Sequence, residues 1–270
     1  MKVVEQQKEK IVKSLTELAD AHCHLELIQD TRLIKRAVEC GVLTMITNGV
    51  DTSSNIKALE LADNKNIFAA LGMDPEHIIA IPEAEVDRTI EFNIGLIRQN
   101  RNRIVGIGEI GLDYKESAWK KMAERQKRVF QALISLASEL NLPISVHSRE
   151  TISEVLEILE DEGAKKVHLH YFEGSVEDAE IAVKRGYMIS VPPIESSKRR
   201  RILAATPLKN LMAESDAPVV GKSPLDIERS VMFVAAAKGM EFRDAAAALT
   251  NNTKEFFGIG RMKSGGLIRI

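Results

Sequence analysis

The chain has 270 residues, enough to bury a large core, and its 37 Lys+Arg against 39 Asp+Glu leave a formal net charge of -2. That balance excludes a global basic field, so any nucleic-acid contact has to use a local patch. The 2 cysteines exclude a disulfide framework, and no apolar run approaches the roughly 20 residues of a membrane-spanning helix.

The opening MKVVEQQKEKIVKSL is charged and lacks the apolar stretch of a secretory signal. It reads as a polar helix over residues 1–17, and the chain as a cytoplasmic protein. From there, short β-rich apolar runs alternate with longer amphipathic ones. The expected strands are Leu18–His22, Val42–Asn48, Ile67–Gly72, Ile104–Ile110, Ile144–His147, Lys166–His170, Tyr187–Val191 and Asn210–Glu214. Between the third and fourth, EVDRTIEFNIGLIRQN carries a helical pattern. Between the fourth and fifth, ERQKRVFQALISLASELN places Val129, Leu133, Leu136, Ala137 and Leu140 on one helix face. Pro143 opens the fifth strand, Ser175 with Glu177–Asp178 marks a helix start after the sixth, and Glu241–Gly258 reads as a closing helix. Strands alternating with helices predict a parallel sheet. Eight such units in about 250 residues predict an α/β fold, a (β/α)8 TIM barrel forming a single domain over 1–270. An open doubly wound sheet is the alternative, but no Gly-rich phosphate loop follows the first strand.

Such a barrel holds its chemistry where the strands end on the C-terminal face. The first strand ends in DAHCHLE, with His22 and His24 two apart and so on the same side. Glu109 ends the fourth strand, His147 the fifth and His170 the sixth, and Asp216 follows the eighth. Any one of these reads most simply as a core histidine or a solvated carboxylate. All of them at one end of different strands predict polar groups that need a shared partner. Imidazole and carboxylate suit Zn2+, Mn2+, Fe2+ or Mg2+. The set exceeds the need of one four-coordinate ion that also binds water. The two oxygens of Glu109 are able to join two ions, the arrangement that activates water and stabilises attacking and leaving oxygens. Asp216 is expected to bind metal or to take the proton of the attacking water. No Ser-His-Asp order and no G-x-S-x-G elbow competes with this reading.

DAHCHLE, IVGIGEIGLDY, ERQKRVFQALISLASELNLPISVHSRE, HYFEGS, ESDAP and LTNNTKEFFGI follow one another from about Asp20 to Ile259. As a set they resemble the TatD family of metal-dependent hydrolases, a TIM-barrel branch of the amidohydrolase-like enzymes. The resemblance implies a divalent-metal site and, as in many members, deoxyribonuclease activity, some of it exonucleolytic. By motif, His22 and His24 would hold one ion and His147 and His170 a second, of Mg2+, Mn2+ or Zn2+. Glu109 would bridge them, and Asp216 would be ligand or base. The implied function is a hydrolase acting on ester bonds, a TatD-type deoxyribonuclease cutting DNA at strand ends or in single strands, with no membrane partner.

The sequence departs from the family where substrate is concerned. Members usually carry Gly-x-His-Pro after the third strand, with the His facing the scissile phosphate, whereas this chain has LGMDPEH and Asp74 at that position. An anion there repels a phosphodiester unless it is protonated or recruits a metal. His77 stands three residues on, either as a substitute or as a surface position. Ser215 replaces the usual Thr of E-T-D-x-P, and SVPPIE replaces a run of small residues. Arg149 is a candidate phosphate clamp, against an ion pair with Glu150 or Glu154. Tyr114, with Trp119, is a candidate for stacking on a base, against simple packing. Lys198–Arg201 is a candidate for phosphate steering, against a solvated face. His168 reads as a hydrogen-bonded core residue, Cys23 as packing, and Asp113 as either a loop-ordering group or a partner of a ligand histidine. Asp74 keeps a second reading open, a metal-dependent amidase, esterase or lactonase on a small molecule. The third is a non-catalytic metal-binding barrel.

Overall fold

In a computed structural model of the chain, residues 16–260 are described. Eight strands, β1 (Leu18–Cys23), β2 (Val42–Asn48), β3 (Ile67–Leu71), β4 (Ile104–Asp113), β5 (Ile144–Arg149), β6 (Val167–Leu169), β7 (Met188–Val191) and β8 (Leu211–Ala213), form one sheet in sequence order. Every neighbouring pair is parallel, from Leu18 beside Val42 to Val191 beside Ala213. The ring closes at its C-terminal end through two backbone hydrogen bonds. Asp216 N–H donates to the His22 carbonyl (3.0 Å), and His24 N–H donates to the Ala217 carbonyl (2.8 Å). The fold is the expected (β/α)8 TIM barrel. The helix expected over residues 1–17 lies outside the described residues except for Thr16 and Glu17, neither of which is helical. Among the described residues no helix is long and apolar enough to cross a membrane.

The connecting helices stop and start where local chemistry requires. The helix Ala123–Leu140 buries Val129, Phe130, Leu133, Ile134, Leu136 and Ala137, then ends at Asn141 in the left-handed region (φ 53°). Pro143 follows and delivers the chain to β5. Ser175 and Asp178 form the reciprocal cap of the helix Val176–Lys184. Asp51 and Ser54 do the same for Thr52–Leu61. These caps satisfy the first backbone N–H groups and fix where each helix leaves the mouth of the barrel.

Alternation along the strands divides the barrel interior. Ala21, Ile46, Phe68, Ala70, Met188 and Met212 meet Phe257 of the helix Phe242–Phe257 in an apolar floor. Two residues further along β2, β7 and β8 come Asn48, Ser190 and Glu214, all buried. The floor is therefore apolar and the mouth polar, from one change of residue type per strand.

Three strands run beyond their expected ends, β1 by one residue to Cys23, β4 to Asp113 and β5 to Arg149. Gly111 makes the last two extensions possible. It has φ +146°, and a Cβ there would stand 2.0 Å from the His147 carbonyl oxygen, so a side chain would force β4 and β5 apart beside the site. Beyond β5, β6 and β8 the chain turns sharply through Glu150 (φ 57°), Tyr171 (φ 44°) and Asp216 (φ 48°). Each costs on the order of 1 kcal/mol of local strain, held by the packing around it.

Candidate metal centre

Five strands and the turns that follow them bring the six expected donors together, with Glu109, four residues before the end of β4, in their middle. Its Oε2 lies 3.3 Å from His22 Nε2 and 3.3 Å from His24 Nε2, and those nitrogens are 3.2 Å apart. Its Oε1 lies 2.8 Å from His147 Nδ1 and 2.7 Å from His170 Nε2, themselves 3.3 Å apart. Asp216 Oδ1 is 3.5 Å from His24 Nε2. Asp216 also offers an oxygen that, with nitrogens of His22 and His170, makes a third trio within 4.8 Å.

This donor set fits divalent cations. A tetrahedral ion with bonds of about 2.0–2.1 Å spaces its ligands about 3.3–3.4 Å apart, close to the 3.2–3.3 Å edges of the His22–His24–Glu109 trio. Asp216 Oδ1 is buried and accepts no hydrogen bond from a described residue. His22 and His170 stack with ring centroids 3.9 Å apart and planes 10° from parallel. Two imidazolium charges would repel at that distance, whereas two neutral rings can each turn a nitrogen to a cation.

The rings are held from behind. His24 Nδ1 lies 2.8 Å from the Asn48 carbonyl oxygen and 3.5 Å from Glu26 Oε1. His147 Nε2 lies 2.9 Å from Asp113 Oδ2. Asp113 is thus the partner of a ligand-type histidine, and Gln126 fixes it by accepting from its N–H (2.8 Å) and donating to its carbonyl (3.1 Å). His22 Nδ1 lies 3.0 Å from Ser145 Oγ. Ser215 donates from N–H (2.8 Å) and Oγ (2.5 Å) to Asp20, tying the turn after β8 to β1. His168 is fully buried, with Ser145 and Ser190 at its two nitrogens. Asp20, Glu26, Ser145, Ser190 and Glu214 were not singled out in the sequence. Their one signal is position: each is polar within or beside an apolar strand or turn at the mouth.

Burial opposes charge throughout. It pushes the Asp20 carboxyl up to about 8 even though Ser215 donates to it, and the Glu214 carboxyl up to about 7. It pushes the His22 imidazole down to about 4, with neighbouring His170 adding to the fall. Glu109 goes the other way: against burial, His170, His147 and His22 hold its carboxyl well below the usual range. His24 and His147 rise above the usual imidazole range, also against burial, through Asp216, Glu109 and Glu26 for the first and Asp113 and Glu109 for the second. The centre is an anion ringed by imidazoles.

The expected substrate contacts divide. Arg149 follows Ser145 and His147 on the inner face of β5, half-buried at the rim. It forms no ion pair with a described residue, and Glu154 is taken instead by Lys127 at 2.6 Å. Asp74 is buried, accepts from Glu76 N–H (3.3 Å) and lies 3.1 Å from His77 Nδ1. That hydrogen bond raises the His77 imidazole above its ordinary value. Of the two readings of Tyr114, its surroundings favour packing over stacking. Its ring packs on the apolar core, and its hydroxyl is buried beside Glu154, pushed up to about 12 by burial and that carboxylate. Lys198–Arg201 is mostly occupied: Lys198 donates to the Glu173 carbonyl, Arg199 pairs with Glu173 (3.1 Å) and lies over the Tyr171 ring, and Arg200 faces Glu195 (3.7 Å).

The profile of the family described as TatD related DNase matches residues 19–258. Human deoxyribonuclease TATDN3 is 29% identical, over 89% of this chain and 94% of its own length. A Bacillus subtilis protein, the uncharacterized metal-dependent hydrolase YabD, is 32% identical, over 90% of this chain and 99% of its own. The crystal structure of YjjV, a TatD homologue of Escherichia coli, is similar with a TM-score of 0.82 at 27% identity, over 90% of this chain and 98% of that one. The chain belongs to the TatD related DNase family and is a metal-dependent hydrolase of that family.

Proposed function

We propose that this protein hydrolyses phosphodiester bonds of DNA, at strand ends or in single strands, with two divalent ions (Mg2+, Mn2+ or Zn2+) at the barrel mouth. The observation that carries this is Glu109, which turns one oxygen to His22 and His24 and the other to His147 and His170. The deoxyribonuclease name of the human relative supports the substrate class. His22, His24 and Oε2 of Glu109 would hold one ion, and His147, His170 and Oε1 the other. When bound, such ions acidify water and neutralise charge that develops on an ester undergoing hydrolysis. Asp216, with its buried unbonded Oδ1, holds the proton of the attacking water. Arg149, free of any ion pair among the described residues, binds the phosphate. A cytoplasmic setting goes with this reading, since Cys23 and Cys40 are both free thiols.

Cleavage of end-labelled single-stranded DNA with each of the three metals, beside His147→Ala and Glu109→Ala proteins, tests the reading. The native protein should cut and both variants should lose activity. Equal residual cleavage in all three would assign the activity to a contaminant. One observation favours a second reading: the buried Asp74 carboxylate tolerates a neutral carbonyl better than a phosphodiester. Turnover of small esters, amides or lactones in place of DNA would select it.

A further inference from the structure

Behind the metal centre runs a chain of hydrogen bonds that touches it at His22. Glu214 Oε1 accepts from Tyr171 N–H (2.7 Å), and Oε2 accepts from Ser190 Oγ (2.5 Å). Ser190 Oγ lies 2.7 Å from His168 Nε2. His168 Nδ1 lies 3.2 Å from Ser145 Oγ, and Ser145 Oγ lies 3.0 Å from His22 Nδ1. Glu214, Ser190, His168, Ser145 and His22 are all buried, so these bonds are shielded from bulk solvent.

The donor inventory gives this chain a direction. A serine hydroxyl has one proton, and that of Ser190 goes to Glu214, so Ser190 accepts from His168 Nε2. Among the described residues the ring nitrogens of His168 meet only the two hydroxyls, and the ring packs edge-on against Phe256 and Phe257 with centroids 6.2 Å away. A neutral imidazole that donates from Nε2 accepts at Nδ1, so Ser145 spends its one proton there. Ser145 is then an acceptor towards His22, which must carry its proton on Nδ1. The His22 Nε2 lone pair is left facing Glu109 Oε2 at 3.3 Å and His24 Nε2 at 3.2 Å. A lone pair held against a carboxylate oxygen is unfavourable until a cation stands between them.

We propose that Glu214, Ser190, His168 and Ser145 form a relay that fixes His22 as its Nδ1–H tautomer and so directs its Nε2 lone pair into the metal centre. The inference rests on the reading of His22 as a metal ligand. It makes Ser190 and His168 positioning residues, since both act on the ion only through others. A partner that sets the tautomer of a ligand histidine is worth about 10–100-fold in metal affinity.

Nitrogen-15 NMR of the metal-free native protein, with His22 assigned through a His22→Gln comparison, reads the tautomer directly. The expected spectrum has the His22 proton on Nδ1, and a ring protonated at Nε2 overturns the relay. Titration with Mn2+ supplies the second reading. Ser190→Ala should bind Mn2+ about 10–100-fold more weakly, with the His22 tautomer no longer fixed, and Ser190→Thr should restore both. Affinity of Ser190→Ala within about twofold of native overturns the proposal. Neither readout involves DNA cleavage, so a wrong substrate leaves this test intact. The native tautomer needs no variant, so it decides even if Ser190→Ala folds poorly.

Discussion

Asp113 and His147 meet at 2.9 Å between Oδ2 and Nε2, and that contact decides which imidazole nitrogen faces Glu109. With the proton on Nε2, the Nδ1 lone pair is left on the side of Glu109 Oε1 and His170 Nε2. Asp113→Ala should therefore weaken Mn2+ binding by about 10–100-fold. Asp113→Asn, which keeps an acceptor oxygen, should lose less. Calorimetric titration of the purified proteins checks both, and an unchanged affinity in Asp113→Ala would show that His147 is oriented by something else.

Glu109 is shared by both histidine pairs, whereas His147 belongs to one. The two positions therefore predict different metal contents. Glu109→Gln replaces the shared anion with a neutral amide amid four imidazoles and should retain less than one divalent ion per chain. His147→Ala should leave the His22–His24–Glu109 trio able to bind one. Cleavage should fall by at least about 100-fold in either. Elemental analysis after reconstitution separates the outcomes. Equal ion content in the two variants would contradict Glu109 as the bridge.

Arg149 and Asp74 bear on the substrate from opposite signs of charge. If Arg149 binds a phosphate, Arg149→Ala should raise the KM for DNA by about tenfold and lower the salt slope of binding by about 1. It should leave hydrolysis of an uncharged ester almost unchanged. Asp74→His removes an anion from the rim and releases His77 from its hydrogen bond. DNA cleavage should rise, with the gain in KM. Steady-state kinetics on DNA and on a neutral nitrophenyl ester compare the two, and a variant that gains only on the ester would favour the small-molecule reading.

The barrel was legible because each expected strand is an apolar run between turn signals, and the structure has a strand overlapping every one. The misjudged ends have local causes. The β4 pattern breaks at Gly111, which normally ends a strand, yet here its φ of +146° and its contact with the His147 carbonyl keep the pairing going to Asp113. The six donors were legible because histidine and carboxylate at strand ends are costly without a partner. Ser145, Ser190 and Glu214 were not. A serine inside an apolar strand carries no signal until its partners are known, and those of Ser145 are His168, 23 positions on, and His22, 123 positions away. Tyr114 stayed open between stacking and packing because a tyrosine after a strand has two sides to turn to, and its neighbour Glu154 belongs to another element.

Asp63 gives a stability prediction separable from the metal centre, because it lies in the turn before β3, at the end of the barrel opposite the mouth. Its Oδ1 accepts from the N–H groups of Lys65 (2.9 Å), Asn66 (2.8 Å) and Ile67 (2.8 Å). Burial raises its pKa, but these N–H groups outweigh that, so the folded carboxyl lies below its ordinary value. A carboxyl lowered on folding contributes stability above its unfolded pKa of about 3.9, and loses it as pH falls through the folded value. Asp63→Asn keeps an acceptor oxygen but cannot titrate. The difference in urea midpoint between native and Asp63→Asn proteins should be constant above about pH 5 and shrink steadily below about pH 4. Taking the difference cancels the other carboxylates, which titrate equally in both proteins. Mn2+ affinity should be the same in both, since no metal-centre group touches this turn. A difference that stays flat to pH 2 would mean that the three N–H groups serve the amide as well as the carboxylate, and that the charge contributes nothing.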